Sequence, residues 1–401
     1  MLDGHSMHQT TKRRPFAVSH DHGNLDVLGL LAAAGRHVAD PNLSRAEQRF
    51  KQLCCMGIGG EAVVPALLEE LRSIVPHLGS SLFFLGPVGE LLNIYDSNPE
   101  TPHVAPLYLQ EFHNRPDREL GAGFADGVKR RFGVQSRTDI LTVTLSEWHR
   151  SDYFNLIHRP LGYDDTMRLA FWDGDRPVGG IMLARGPGER EFSMADRNRL
   201  AGLEGFFAHA LTDVPPDDFP LVESGHEGLI IVDTEGRVVH ASPEGRRLLF
   251  LASNPRVHPS SGNDTVVLPP AIAGICQSLV SVHSGRPVPS APFYHHRNVW
   301  GGFRFGCHWL DGVRRSSGLI GITIVHEEPL PLRLTRTASD LPLSSREAQV
   351  CVLLAVGKTH EAIADRLGIS IHTSITHGRT IYQKLSVHNR TELLGKLLTV
   401  H

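Results

Sequence analysis

"EAIADRLGISIHTSITHGRTIYQKL", residues 361–385, decides how the C-terminal part of this chain folds. Ile363 and Leu367 lie four apart, on one helical face. Gly368 follows and supplies a turn that residues with side chains make poorly. Ser370 then stands where a second helix would be capped. Two short helices joined by a turn containing glycine form a helix-turn-helix. The outward face of the second helix would carry His372, Ile375, Thr376, Arg379 and Gln383, at spacings of three, four and seven.

The pattern extends in both directions. Ser344 followed by Glu347 is a capping box. Val350 and Leu354 share a face, and Gly357 takes the usual C-cap role. Thr359 caps the helix before the turn. Asn389 and Glu392 open a last helix carrying Leu393, Leu394, Leu397 and Leu398.

Charge agrees with a nucleic-acid role for this end. Residues 341–401 hold seven Lys/Arg and four Asp/Glu, a net of +3, whereas the whole chain is −3, which leaves −6 for residues 1–340. A basic tail on an acidic body is expected when only the tail meets a polyanion. Hydrogen-bond donors and a cation on one helix face suit base edges and phosphates. Exposed N–H groups at the helix starts near Thr359 and Ser370 suit phosphates as well. The set expected to touch double-stranded DNA is Thr359, Ser370, His372, Thr373, Ile375, Thr376, Arg379, Thr380, Gln383 and Lys384.

Over residues 341–398 the sequence resembles the LuxR-type (GerE-type) DNA-binding domain. The matching positions include Glu347, Gly357, Ile363, Ala364, Leu367, Ser370, Thr373, His377, Ile381, Lys384, Leu385, Asn389, Arg390 and Glu392. The resemblance implies four helices, the last of which often dimerises, through Leu393, Leu394, Leu397 and Leu398 here. The chain departs from the family pattern where Ser374 and Ile375 replace a valine and a basic residue, and where Gly378 stands near a missing core valine. A mid-helix glycine costs about 1 kcal/mol relative to alanine. With one basic side chain gone, Arg379 is left as the main cation of that face, and DNA binding that is weak or dependent on a second copy is expected.

The rest of the chain reads as sensor-like. Two proline-rich breaks, "LTDVPPDDFPLVESG" (211–225) and "HEEPLPLRLTRTASDLP" (326–342), read as linkers. The expected layout is a disordered segment 1–24, a domain 25–212, a linker 213–221, a domain 222–328, a linker 329–340 and the helical module 341–401. "TMRLAFWDGDRPVGGIMLARG" is two strand-like runs around a turn, and Ser193 with Asp196 starts a helix. Residues 148–200 resemble the second half of a GAF-type sensor domain. "EGLIIVDTEGRVVHASPEGRRLL" is similar to the opening of a PAS domain, with Ser242 where Asn is common. The fold class expected is two α+β units followed by an all-α module.

Trp148, Tyr153, Phe154, Phe171 and Trp172 either line a ligand cavity, since such sites are mostly apolar and aromatic, or belong to the core. An unidentified small-molecule effector fits the first choice, and no cofactor is expected. "FYHHRNVWGGFRFGCHW" puts His295, His296, Cys307 and His308 close in sequence, a possible metal or haem set whose spacing fits no zinc pattern; surface histidines are the other reading. Five scattered cysteines are no disulfide framework, and neighbouring Cys54 and Cys55 are a redox pair or plain buried thiols. No GxxxxGK[ST], GxSxG or HExxH occurs, so no enzyme activity is expected. No apolar run approaches the ~18 residues of a membrane helix, and the polar first 24 residues lack a secretory signal. A cytoplasmic, dimeric regulator of transcription is the expectation.

Overall fold

A computed structural model of the chain describes residues 45–399, except 56–57, 59, 114, 122–127, 129, 213–218, 258–267, 287–291 and 312–317. The expected disordered segment 1–24 and most of the linker 213–221 lie outside the described residues.

The first unit begins with helices α1 (Arg45–Cys54) and α2 (Gly60–Ile74) and the hairpin β1 (Gly79–Leu85), β2 (Leu91–Asp96). Short helices α3 (Thr101–Leu107), α4 (Pro116–Glu119), α5 (Arg137–Ile140) and α6 (Leu145–Arg150) follow, with strand β3 (Gln135–Ser136) before α5. Strands β4 (Asp165–Asp173) and β5 (Arg176–Arg185) form the expected hairpin, turning at Gly174 with φ +58°. Helices α7 (Met194–Ala201), capped by Ser193 and Asp196 as read, and α8 (Glu204–Leu211) complete the unit. The sheet is antiparallel, in the order β2-β1-β5-β4-β3. Alternation along β4 divides its side chains. Met167, Leu169 and Phe171 face the helical core, where Phe171 stacks on Phe207 at 4.4 Å. Arg168, Ala170 and Trp172 face the other side.

The second unit repeats that topology. Strands β6 (Leu221–Val232) and β7 (Val238–Ala241) are followed by helices α9 (Pro243–Ser253) and α10 (Pro270–His283). Then come β8 (Phe293–Asn298), β9 (Gly301–Leu310) and β10 (Leu319–Pro329), giving the order β7-β6-β10-β9-β8. Ile320, Ile322, Ile324, Phe303 and Phe305 form its buried face. Ser242 caps α9 through the Gly245 N–H, 3.0 Å, and also accepts the Leu229 N–H, 3.1 Å, so it fastens helix to strand. A Cβ on Gly228 would come within 2.4 Å of the Gly245 Cα, so glycine is required where β6 meets α9.

The two units share a core. Asn93 of β2 donates to the Pro255 carbonyl at 3.0 Å and accepts from the Val257 N–H at 3.0 Å. Buried Trp300 meets Tyr95 at 5.5 Å and Phe84 at 6.1 Å. Arg247 of α9 donates to the Tyr95 hydroxyl at 2.9 Å.

The reading of 329–340 as an aperiodic linker is corrected. It is helix α11 (Leu330–Asp340), continuing directly from β10, with Pro331 in its first turn where proline is tolerated. Leu332, Leu334, Thr335 and Ala338 are buried. The helix packs against α1, against β6 and β10, and against the C-terminal helices. Those helices are α12 (Ser345–Ala355), α13 (His360–Leu367), α14 (Ile371–Leu385) and α15 (Arg390–Thr399). Because Leu334 is fully buried, Leu334→Ala is expected to destabilise by about 2–5 kcal/mol. In hydrogen exchange it should deprotect α12 and α15 together with α11; deprotection confined to α11 would show that the helix is not what holds the module in place.

Candidate nucleic-acid interface

The C-terminal module is built from caps. Ser344 and Glu347 form the capping box of α12. Thr359 caps α13 by accepting the Ala362 N–H at 3.2 Å, and Ser370 caps α14 by accepting the Thr373 N–H at 3.0 Å. Gly368, at φ +61° and ψ +41°, makes the left-handed turn between α13 and α14. Asn389 accepts the Glu392 N–H at 2.9 Å and starts α15. Ile363, Leu367, Ile381 and Leu385 close the core against Val350 and Leu354. Arg346 donates to the Leu367 carbonyl, tying α12 to the end of α13.

One side of α14 is left bare. His372, Thr376, Arg379 and Gln383 are exposed, and Thr373, Ile375 and Thr380 are half-buried beside them. Thr376 and Thr380 return their hydroxyls to the His372 and Thr376 carbonyls, 2.9 and 3.1 Å. Among the described residues no hydrogen bond or ion pair engages the Arg379 side chain. Its guanidinium is therefore free to meet a phosphate or a base edge.

Residues 341–396 match the family model described as bacterial regulatory proteins, luxR family. The C-terminal module is a LuxR-type helix-turn-helix. The uncharacterized response regulatory protein YgeK of Escherichia coli (strain K12) is 42% identical over 64 residues, 16% of this chain and 44% of that protein. The chain thus spans less than half the length of that curated relative. Among solved structures, Escherichia coli SdiA is similar at 12% identity over 88% of this chain and 95% of its own, with a TM-score of 0.28. A Vibrio cholera VqmA–ligand–DNA complex is similar at 18% identity over 44% of this chain and 84% of its own, with a TM-score of 0.19. TM-scores this low identify no shared overall architecture.

The departures of this LuxR-type module have a structural reason. The His360 imidazole of α13 lies in the space left by Ser374 and Gly378. Its Nδ1 is 2.9 Å from the Ser374 hydroxyl, and a Cβ on Gly378 would stand 3.1 Å from its Cε1. A polar contact thus replaces the aliphatic packing between the two helices of the motif. Sequence reading missed His360 because nothing local marks a partner fourteen residues away.

Two expected site residues are corrected, and a third has a second role. Exposed Lys384 holds its ammonium 2.7 Å from the Glu347 carboxylate and so braces α14 against α12. Leu393 and Leu397 are fully buried against the module's own core and α11, and offer nothing to a second chain. Of the four leucines, Leu394 is half-buried and Leu398 exposed.

The five aromatic candidates do not converge either. Trp148 and Tyr153 line two small cavities of about 60 and 50 Å³ between the first sheet and α3–α6; Tyr153 walls both. Phe154 packs on Trp148 at 4.7 Å, outside either lining. Phe171 takes the second of the two readings, core, on the opposite face of the sheet. Trp172 is corrected: it sits beneath the Arg131 guanidinium at 4.6 Å. The alternative metal set disperses too. His295 pairs with Glu327 at 2.8 Å, and His308 is exposed. Cys307 turns inward to share a hydrogen bond with Cys276, which favours the Cys276 thiolate. No metal-binding cluster of three such side chains occurs among the described residues. Burial pushes up the pKa of both Cys54 and Cys55, so neither is an activated thiol.

Two outcomes test this packing. Burial alone would raise the Glu347 pKa, yet Lys384 and the Ser344 N–H and hydroxyl hold it below the usual carboxylate range. A depressed folded-state pKa means stability that is present above the unfolded value and lost as pH falls through the folded one. The urea midpoint should therefore drop below about pH 4, and Glu347→Gln should have a lower midpoint at pH 7 with a flatter acid limb. A variant as acid-sensitive as the parent would refute the role. In the second test, Gly378→Ala should gain little or lose stability in the parent, where His360 crowds the new methyl. In a His360→Ala background the same change should stabilise by about 1 kcal/mol, the helix-propensity gain alone. Equal effects in both backgrounds would exclude the crowding.

Proposed function

We propose that the chain is a DNA-binding transcriptional regulator that acts as a homodimer, reads a two-fold promoter site through α14, and is controlled by its N-terminal units. The observation that carries this is the bare face of α14 with an unengaged Arg379, on a LuxR-type module whose every helix start is capped. His372, Thr376, Arg379 and Gln383 enter the major groove, with Ile375, Thr373 and Thr380 along the edge of the contact. Thr359 and Ser370 present helix N-termini to phosphates. With Leu393 and Leu397 internal, pairing of two modules falls to Leu394, Leu398 and the N-terminal units.

The first unit (25–212) is read as GAF-like and the second (222–328) as PAS-like; their common antiparallel strand order supports a shared ancestry of sensor type. A small-molecule effector in the first unit would alter how two modules pair, and so their joint affinity for two half-sites. A cytoplasmic location goes with this role, and no helix among the described residues is long and apolar enough to cross a membrane.

Arg379→Ala decides the assignment. On DNA selected from a random-sequence pool by the purified full chain, it should weaken binding by about 1–3 kcal/mol, roughly 5- to 150-fold, and lower the slope of log affinity against log salt by about one. Unchanged affinity and slope would mean that α14 is not the reading helix.

A further inference from the structure

The two small cavities of the first unit share a wall made by Tyr153, His158 and Met182. His158 is only 4% exposed. Its Nδ1 is buried and has no hydrogen-bond partner. None of the hydrogen bonds among the described residues reaches its Nε2 either. Trp148 and Tyr153 lie edge-on to its ring at 5.1 and 4.9 Å and satisfy neither nitrogen. Burial lowers its pKa to about 4, so at neutral pH the ring holds one N–H and one lone pair. A buried polar group left unpaired is costly, and a residue in a cavity wall recovers that cost when something in the cavity bonds to it.

Among the other polar groups of the walls the Thr101 hydroxyl is likewise buried without a hydrogen-bond partner, and the charged ones are matched. Asp96 accepts from Ser81, from the Tyr163 hydroxyl at 3.1 Å and from the Asn98 N–H at 2.7 Å. Arg137 meets Asp164 at 3.4 Å and Glu191 at 2.8 Å. Arg168 donates twice to Gln135, at 3.0 and 2.9 Å, and shares its surroundings with the opposite charge of Glu119. No charge is left over to draw in an ion. The remaining wall of the 50 Å³ cavity is apolar, with Phe83, Ile94, Val104, Ala105 and Leu161. A water needs roughly 10–15 Å³ of such space, so this cavity of about 50 Å³ takes a compact body of about three to five heavy atoms and excludes an aromatic ring or a long acyl chain.

We propose that this cavity is a binding site for a small uncharged molecule with a compact apolar body and one hydroxyl or carbonyl group, which hydrogen-bonds to His158. The proposal deepens the sensor reading of the first unit by naming the ligand class and the residue that selects it.

The probes are 2-fluoroethanol and fluoroethane, which share a two-carbon body and differ in the hydroxyl, followed by ¹⁹F NMR with the full-length protein. 2-Fluoroethanol should bind saturably and at least tenfold more tightly than fluoroethane. His158→Leu is close to the imidazole in volume and removes the unpaired Nδ1. It should fold as well as the parent by circular dichroism, lose the tenfold preference, and keep fluoroethane. Ala105→Phe fills the apolar end and should abolish binding of both probes. Absence of saturable 2-fluoroethanol binding in the parent, an unchanged preference in His158→Leu, or unchanged binding in Ala105→Phe would each overturn the proposal. DNA affinity measured on the same preparations separates the two readings. Lost DNA binding with intact probe binding counts against the regulator, and the reverse counts against the ligand site.

Discussion

Helix α11 is the constraint on which the rest of the arrangement depends. It begins where β10 ends, with no residue of slack between them. Its Leu332 and Leu334 are fully buried, and Arg336 is paired with Glu328 at the end of β10. Burial raises the Glu328 pKa to about 7 against the opposing pull of Arg336, so the pair belongs to a dry junction. Interiors are close-packed, and sliding such a helix past its neighbours opens voids with a real free-energy cost. The position of the DNA-reading module is therefore set by the second sheet and by α1, where a flexible tether would leave it free.

Within the module the same logic applies on a smaller scale. The angle between α13 and α14 is fixed by side chains packed in the crook of the turn. Here that crook holds an imidazole against a serine hydroxyl and a glycine, so the helices meet through a directional contact. A hydrogen bond specifies geometry more narrowly than aliphatic packing of equal volume, since it weakens steeply with misalignment. The loss of a branched side chain from α14 is thereby offset by a residue on the facing helix.

What the sequence made legible was local. Caps and turns depend on residues within four positions of one another, so Ser344, Thr359, Gly368, Ser370 and Asn389 all stand in the structure where their types suggested. The hairpin around Gly174 and the helix start at Ser193 were readable for the same reason. Helix α11 was not, because Pro329 and Pro331 read as loop residues and its buried stripe of 331, 334, 335 and 338 includes a proline and a threonine, which break the apolar pattern. The expectation that the leucines of α15 dimerise came from the family resemblance, whereas Leu393 and Leu397 pack inside the module and against α11. The cavity was hidden for a different reason: Ile94, Ala105, His158 and Met182 are brought together only by the sheet. The aromatic cluster that suggested a pocket was split by the pleat of β4, which sends Phe171 and Trp172 to opposite faces.

The pleat also places the cavity next to the joint between the units. Along β2, Ile94 and Asp96 line the cavity, while Asn93 and Tyr95 point the other way and hold Pro255, Val257, Trp300 and Arg247 of the second unit. The Trp300 carbonyl is 2.9 Å from buried His326 of β10, whose other nitrogen meets Ser224 at 2.9 Å. Strand β10 runs on into α11, and α11 into the packing of the LuxR-type module. Each step in this series is a buried, hydrogen-bonded or close-packed contact, and none relies on a loose segment. Contiguity becomes coupling only when an element of the series has two arrangements that a ligand distinguishes. The strand best placed for that is β2, since any ligand that pushes Ile94 outward must also displace Asn93 and Tyr95, whose side chains carry its contacts to the second unit.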